Sequence, residues 1–168
     1  ILIAHSLGGL YANLYARSYP DEVGGVVFID ATHPAEVLEQ KAYTPPLVLR
    51  ALNESFKVLE KKFDKLKYSE DESIENTISQ LDTVGSFPPV PVAVVSGTKK
   101  MPFVPVQAFA IHQAYQSELL KISQQSKRYL CHGSGHFPQV TEPEIVINAI
   151  RNLLAACDQP VKNLLPRQ

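Results

Sequence analysis

The sequence predicts an α/β fold in which a parallel sheet is flanked by helices. Residues 1–4 and 26–29 are short apolar runs rich in β-branched side chains, which is typical of parallel strands buried on both faces. Between them lies a helical pattern that ends at Pro20. A strand, a helix and a second strand of these lengths predict a right-handed parallel crossover.

Helical spacing and apolar runs predict the remaining elements. The first helix follows Ser6, and its recurring residues are Leu7, Leu10, Tyr11, Leu14 and Tyr15. A third strand is expected at 90–96 and a fourth at 128–132. The helix between them is expected at 106–126, with Phe109, Ala110, Leu119 and Leu120 in the core.

The last helix is predicted to begin at a capping box, Thr141-Glu142-Pro143-Glu144, in which Thr and Glu side chains satisfy free backbone N–H groups. Its expected buried stripe consists of Ile145, Val146, Ala149, Ile150, Leu153 and Leu154. The chain would end in a short tail over 158–168.

A long segment rich in Lys and Glu, residues 34–88, interrupts the pattern between the second and third strands. Within it, one apolar face of a charged helix is predicted from Phe56, Leu59, Phe63 and Leu66. This helix could pack on its own domain, act as a cap that touches substrate, or do both, because a loop this long is usually functional. The segment would divide a core formed by 1–33 and 89–157.

Composition excludes several classes of function. The 168 residues, 45% hydrophobic and 20% charged, indicate one globular domain with a substantial core. A net charge of -1 gives no basic surface for nucleic acid, and no apolar run is long enough to cross a membrane. Cys131 and Cys157 form neither a disulfide framework nor a metal-binding pair. Composition assigns neither a compartment nor an oligomeric state.

The segment Ala4-His5-Ser6-Leu7-Gly8-Gly9 stands where the first strand becomes a helix. A serine hydroxyl is a poor nucleophile until it is lifted clear of its neighbours and presented to a base. A sharp strand-to-helix turn does this, and it crowds the positions two before and two after the serine, which here are Ala4 and Gly8. The helix N-terminus directs backbone N–H groups at developing negative charge, so Leu7 N–H is the predicted oxyanion donor.

This segment resembles the nucleophile elbow of the α/β-hydrolase superfamily, with Ala4 where a glycine is commoner. The resemblance covers nearly the whole chain and implies a partial α/β-hydrolase fold with a helical cap at 34–88. The chain would be the C-terminal portion, starting at the elbow strand, with the N-terminal strands and the second oxyanion donor missing. We therefore expect the chain by itself to be inactive and poorly soluble.

The resemblance implies which histidine is the base. In the superfamily the base lies in the loop after the last strand, where this chain has Gly133-Ser134-Gly135-His136-Phe137. His136 is therefore the expected base, and His132 at the end of the strand is the alternative. Three further histidines are not expected to act as the base. His5 is expected to be structural, His33 to be solvated or at the rim of the site, and His112 to lie on a helix surface.

The position of the acid departs from the usual pattern. The superfamily usually places it after the strand predicted here at 90–96, but residues 96–102 contain neither Asp nor Glu. Asp30 at the end of the preceding strand is the implied replacement, since some members carry the acid there. It could instead be a turn or N-cap residue, and the role would then fall to Asp82 or a residue outside the chain. The order Ser6, Asp30, His136 matches nucleophile, acid and base.

These residues predict a serine hydrolase acting on a small-molecule carboxylic ester or related acyl substrate. This chemistry implies no metal or organic cofactor. Dehalogenase and epoxide hydrolase chemistry is disfavoured, because those enzymes have Asp where Ser6 stands. Acyl transfer to an alcohol uses the same residues and stays open. A hydrolase-like protein that binds a ligand or partner without turnover is the other alternative, and the missing acid after 90–96 favours it.

Overall fold

The computed structural model describes residues 1–42 and 65–158 and contains a four-stranded parallel sheet. Its strands lie in the order of the chain: β1 Leu2–His5, β2 Val26–Ile29, β3 Val92–Gly97 and β4 Ser126–Cys131. Each strand pairs in parallel with the next. The predicted α/β architecture is confirmed, and the carboxyl ends of all four strands lie along one edge of the sheet.

Helices connect the strands and cover both faces of the sheet. They are α1 Gly8–Ser18, α2 Pro34–Ala42, α3 Lys65–Leu81, α4 Val106–Glu118, α5 Pro138–Thr141 and α6 Pro143–Cys157. Short 3₁₀ turns follow α1 at Pro20–Glu22 and α4 at Leu119–Ile122. No helix in the described part of the chain is long and apolar enough to cross a membrane.

Two apolar clusters pack on opposite faces of the sheet, because successive strand side chains point in opposite directions. Phe28 and Val94 belong to the first cluster, together with Ala16 of α1 and Leu119. The second cluster packs α6 against the other face, and its buried members are Val27, Ile29, Ala93, Val95, Cys131, Val146, Ala149 and Leu153. The two central strands are therefore buried on both sides.

Helix α1 buries one side against the rest of the fold. Leu10 and Ala16 are fully buried, whereas Tyr11 and Tyr15, two of the residues that recur at helical spacing, are each 40% exposed. Small residues allow α1 to lie close to the sheet, so the tyrosines occupy the outer face, where Tyr15 donates a hydrogen bond to Glu22.

Helix α4 is shorter than predicted, and it ends at Glu118. Leu119 is fully buried and Leu120 packs against the core as expected. Ala110 is exposed and Phe109 only half-buried, which contradicts their assignment to the core. The side of α4 that faces the sheet instead carries polar residues, as described for the site below.

The N-terminus of α6 differs from the predicted capping box. Glu142 is the N-cap residue and makes no side-chain capping bond. Pro138 begins the extra helical turn α5, and Thr141 ends that turn by donating to the Phe137 carbonyl oxygen at 3.0 Å. Along α6, Val146, Ala149 and Leu153 are buried as expected, but Leu154 is 44% exposed.

Strand β1 lies at one edge of the described sheet, where it pairs with β2. Ile3 is 52% exposed, so the expectation of burial on both faces is wrong for this residue. Phe56, Leu59 and Phe63 lie outside the described residues, as does the apolar face that they and Leu66 would form. The division into core, cap and tail stays a prediction.

Candidate active site

Ser6 occupies the turn between β1 and α1 in a left-handed backbone conformation, with φ of 53°. Non-glycine residues rarely adopt positive φ, and such strain costs about 1–3 kcal/mol unless the surroundings hold it. Here the Ser6 N–H donates to Ile29 O at 3.2 Å, and the Ser6 carbonyl accepts the Thr32 N–H at 2.9 Å. The segment that follows β2 therefore fixes the serine from both sides.

The close approach at this turn depends on Gly9. A Cβ atom on Gly9 would lie 2.8 Å from Ala31 Cβ and 3.0 Å from the Thr32 carbonyl oxygen. A Cβ atom on Gly8 would lie 3.8 Å from Ala4 Cβ, which is an ordinary contact. The position of Gly8, predicted to be crowded, therefore has room for a methyl group. The position that requires glycine is Gly9, one residue later. The Gly8-Gly9 doublet was the only sequence signal for this requirement.

The structure brings together the three residues predicted to form the triad. His136 Nε2 lies 2.9 Å from Ser6 Oγ, and His136 Nδ1 lies 2.8 Å from Asp30 Oδ2. The Asp30 side chain is 4% exposed and that of His136 is 35% exposed. One imidazole ring therefore bridges a hydroxyl group and a buried carboxylate.

Asp30 directly follows β2 and, like Ser6, has a positive φ, of 43°. Its N–H donates to Val95 O at 2.7 Å, and its Oδ1 accepts the Gly97 N–H at 3.1 Å. Burial alone would raise the pKa of Asp30, but contacts with His112 and His136 and the Gly97 N–H outweigh burial and lower this pKa to about 2. An ionised Asp30 requires the proton of His136 to lie on Nδ1, which leaves Nε2 as the acceptor for the Ser6 hydroxyl.

The loop that carries His136 lies directly against the end of β3. A Cβ atom on Gly97 would collide with the Gly135 carbonyl oxygen, and a Cβ atom on Gly135 would lie 3.0 Å from the Lys99 carbonyl oxygen. The Lys99 N–H donates to Ser134 O at 2.9 Å. Gly97 and Gly135 are therefore needed for the backbone approach that delivers His136 to Asp30.

Two further contacts hold the same loop. The Ser134 hydroxyl is buried and lies 2.5 Å from both Thr141 Oγ1 and Glu142 Oε2. On the other side, His5 Nε2 donates to the His136 carbonyl oxygen at 2.7 Å. As expected, His5 has a structural position, and it holds the backbone of the neighbouring histidine.

His112 was expected on a helix surface, and the structure contradicts this. Its side chain is only 16% exposed, with Nε2 at 3.2 Å from Asp30 Oδ1 and Nδ1 at 2.8 Å from Glu36 Oε1. Burial would lower the pKa of His112, but the two carboxylates outweigh burial and raise it to about 10. These contacts favour the protonated form of the largely buried His112 at neutral pH.

The remaining two histidines, His33 and His132, make contacts with other residues. His132 is exposed, and its Nδ1 lies 3.3 Å from Thr98 Oγ1. His33 accepts the Ala35 N–H at 3.1 Å and stacks on Tyr115, and burial lowers the pKa of His33. These positions favour His136 over His132 as the group that faces Ser6.

The N-terminus of α1 lies directly behind Ser6. The Gly9 N–H donates to Ser6 O and the Leu10 N–H to Leu7 O, both at 3.0 Å. Leu7 is the N-cap residue, so its own N–H belongs to the first turn of the helix. Its role as an oxyanion donor stays a prediction.

A cavity of about 320 Å³ opens beside Asp30 and His136. Its apolar wall comes from 101–109 and includes Met101, Val104 and Phe109. Ser6 is not among the described residues that line this cavity, so we do not assign it to the acyl group of a substrate. The described residues contain no group of three or more His, Cys, Asp or Glu arranged to hold a metal ion.

Comparison with solved structures identifies the fold. MGS-MChE2, an alpha/beta hydrolase enzyme from the metagenome of sediments from the lagoon of Mar Chica, Morocco, matches with a TM-score of 0.54 and 15% identity, over 95% of this chain and 63% of its own. A structure from Pseudomonas aeruginosa PAO1, described as a probable hydrolytic enzyme, matches with a TM-score of 0.52 and 18% identity, over 94% of this chain and 62% of its own.

The chain thus spans a little over three fifths of the length of these two structures. No protein-family model matches it, and no curated protein sequence matches it significantly. The parallel sheet, the helices on both of its faces and these structural matches together show that the chain has a partial α/β-hydrolase fold.

Proposed function

We propose that this protein is a serine hydrolase that cleaves a carboxylic ester or a related acyl substrate. The observation that carries the proposal is the position of His136, which lies within hydrogen-bond distance of Ser6 Oγ on one side and Asp30 Oδ2 on the other. A nucleophile, a base and a carboxylate that orients the base are the three parts that acyl transfer through serine requires. The resemblance of the turn around Ser6 to a nucleophile elbow supports the same conclusion.

In the proposed reaction, Ser6 Oγ attacks the substrate carbonyl carbon while its proton passes to His136 Nε2. The carbonyl π electrons move to oxygen, and the Leu7 N–H stabilises the resulting oxyanion. Collapse of this intermediate breaks the bond to the alkoxide, which takes the proton from His136 and departs as an alcohol. Water then attacks the acyl-serine by the same route, so that the acid product leaves and Ser6 regains its proton. Asp30 stays ionised throughout and stabilises the imidazolium.

A fluorophosphonate probe applied to the full-length protein tests this proposal, because it reacts only with an activated serine. We expect stoichiometric labelling of Ser6, confirmed by mass spectrometry of the labelled peptide. Ser6→Ala and His136→Ala should each abolish labelling. His132→Gln is the matched control, since it removes an exposed histidine that contacts Thr98, and it should leave labelling unchanged.

The same experiment tests the alternative of ligand binding without turnover. A folded wild-type protein that is not labelled would reject the hydrolase and favour binding. The missing acid after β3 was the argument for that alternative. Asp30 can take the place of that acid in the proposed reaction, because the Gly97 N–H at the end of β3 donates a hydrogen bond to its carboxylate. Acyl transfer is distinguished by products: with an added alcohol, a hydrolase releases mainly the free acid and a transferase mainly the new ester.

A further inference from the structure

Asp30 has a second histidine partner that the proposed reaction does not use. His136 occupies Asp30 Oδ2, whereas His112 Nε2 lies 3.2 Å from the other oxygen, Oδ1. The opposite edge of the His112 ring contacts Glu36, a carboxylate that is only 5% exposed. Two buried carboxylates are therefore joined by one imidazole ring.

The charges around His112 come from four parts of the fold. Asp30 faces it from the end of β2, and Glu36 faces it from α2. The His136 ring lies edge-on at a centroid distance of 6.5 Å, and Lys99 lines the same cavity from the loop after β3. Among the residues that the structure describes, the two carboxylates are the groups within ion-pair distance of the ring, and they favour a proton on His112.

The helix that carries His112 is tied to the same part of the backbone. Gln113 Nε2 donates to the Gly97 carbonyl oxygen at 2.7 Å. Gln116, which is fully buried, donates to the Ala31 carbonyl oxygen at 2.7 Å and lies 3.2 Å from the Ser96 hydroxyl. These bonds hold α4 against the residues that flank Asp30, so the His112 ring has little freedom to leave the carboxylate.

We propose that His112 is a positioning residue: as an imidazolium bridging Asp30 and Glu36, it fixes the Asp30 carboxylate so that Oδ2 faces His136. This inference rests on the proposed hydrolase function and assigns that function a further residue and a partner for it, Glu36. Asp30 Oδ1 accepts the Gly97 N–H and lies at ion-pair distance from His112 Nε2, although that second contact lacks hydrogen-bond geometry, and rotation of the carboxylate away from His136 would disturb both.

The proposal predicts a dependence on pH that a purely structural role does not. When His112 loses its proton, Asp30 loses an opposite charge and gains freedom to rotate, so kcat should fall on the alkaline side as pH rises through about 10. Glu36 helps to retain this proton. Glu36→Gln keeps the shape of the side chain but removes its charge, and should therefore move the alkaline fall to lower pH.

The test compares His112→Gln and Glu36→Gln with the exposed control His132→Gln, in the full-length protein. The readouts are the hydrolysis of p-nitrophenyl acetate from about pH 6 to about pH 11, corrected for spontaneous hydrolysis, and histidine NMR titration. For His112→Gln we expect kcat to fall about 10- to 100-fold with KM changed less than about threefold. For Glu36→Gln we expect both the alkaline limb and the His112 resonance to shift down by about one unit or more.

Three results would overturn the proposal: an unchanged kcat in His112→Gln, a rise in KM alone, or an alkaline limb in Glu36→Gln that coincides with wild type. A rise in KM alone would instead place His112 in contact with substrate. If His112→Gln does not fold, the pH profile of kcat in Glu36→Gln tests the proposal by itself. Failure of the hydrolase itself is distinguishable, because Ser6→Ala would then retain the wild-type rate.

Discussion

The Gly97 N–H donates to Asp30 Oδ1 at 3.1 Å, so the end of β3 contributes a hydrogen bond to a carboxylate that stands at the end of β2. The resemblance to α/β-hydrolases implies an acid that follows β3. Here the end of β2 supplies the carboxylate, and the adjacent end of β3 supplies a backbone N–H donor to it.

This relationship predicts that Asp30 cannot be replaced by its amide. We expect Asp30→Asn to lower kcat by up to about 10⁴-fold with little change in fold, because an amide does not select the Nδ1-protonated form of His136. Steady-state kinetics and circular dichroism measure the two effects. Asp82→Asn is the matched control at an exposed position, and a comparable loss there would transfer the acid role to Asp82.

The contact between Gly97 and Gly135 predicts a second sensitive position. The methyl group of Gly97→Ala would collide with the Gly135 carbonyl oxygen and displace the loop that carries His136. A displacement of about 1 Å can cost about 100-fold in rate, so fluorophosphonate labelling should slow by about that factor. Gly85→Ala adds the same methyl group into open space and should label at the wild-type rate. Equal rates in the two variants would show that the loop adjusts freely.

Gly9 and Gly8 should respond differently to alanine. Gly9→Ala places a methyl group against Ala31 and the Thr32 backbone, and overpacking of this kind costs about 1–3 kcal/mol. Gly8→Ala meets only an ordinary contact with Ala4, and the higher helix propensity of alanine should offset any cost. Urea denaturation of the two variants measures this difference. A Gly9→Ala variant as stable as Gly8→Ala would contradict the packing described for α1.

Stability should decline at both ends of the pH scale, for two different residues. The pKa of Asp30 is lowered from 3.8 to about 2, so its contribution is present above 3.8 and is lost as pH falls through about 2. The pKa of His112 is raised from 6.5 to about 10, so its contribution is complete below 6.5 and is lost as pH rises through about 10. Denaturant unfolding across this range should show a flatter acid side in Asp30→Asn and a flatter alkaline side in His112→Gln. Curves identical to wild type would argue against these ion pairs.

The sequence predicted those parts of the site that depend on chain order. Ser6 and Asp30 follow apolar runs that are typical of buried strands, and parallel strands bring their carboxyl ends to one edge of a sheet. His136 lies in the loop after the last strand, so the parallel arrangement places it at the same edge of the sheet as Ser6 and Asp30. The distances among the three depend on the turns that carry them, and the sequence marks the turns at Ser6 and His136, but not the one at Asp30, with glycine.

The contribution of α4 could not be predicted, because its polar and apolar residues are mixed around the helix. His112 has neighbours in the sequence that fit an exposed surface equally well. Only the packing of α4 against the segment 30–32 and the end of β3 reveals that its polar face is the buried one. A buried polar helix face is stable when each group finds a partner in another element, and those partners are distant in the chain.

Ser6 and Asp30 share a backbone conformation that their residue types disfavour, with φ of 53° and 43°. Glycine at either position would relax the backbone and at the same time delete a side chain that the proposed reaction uses. Under the proposed function, selection for stability and selection for catalysis therefore oppose each other at these two positions. A lineage released from the need for turnover should drift toward glycine at both, and Ser6→Gly should resist unfolding at least as well as Ser6→Ala.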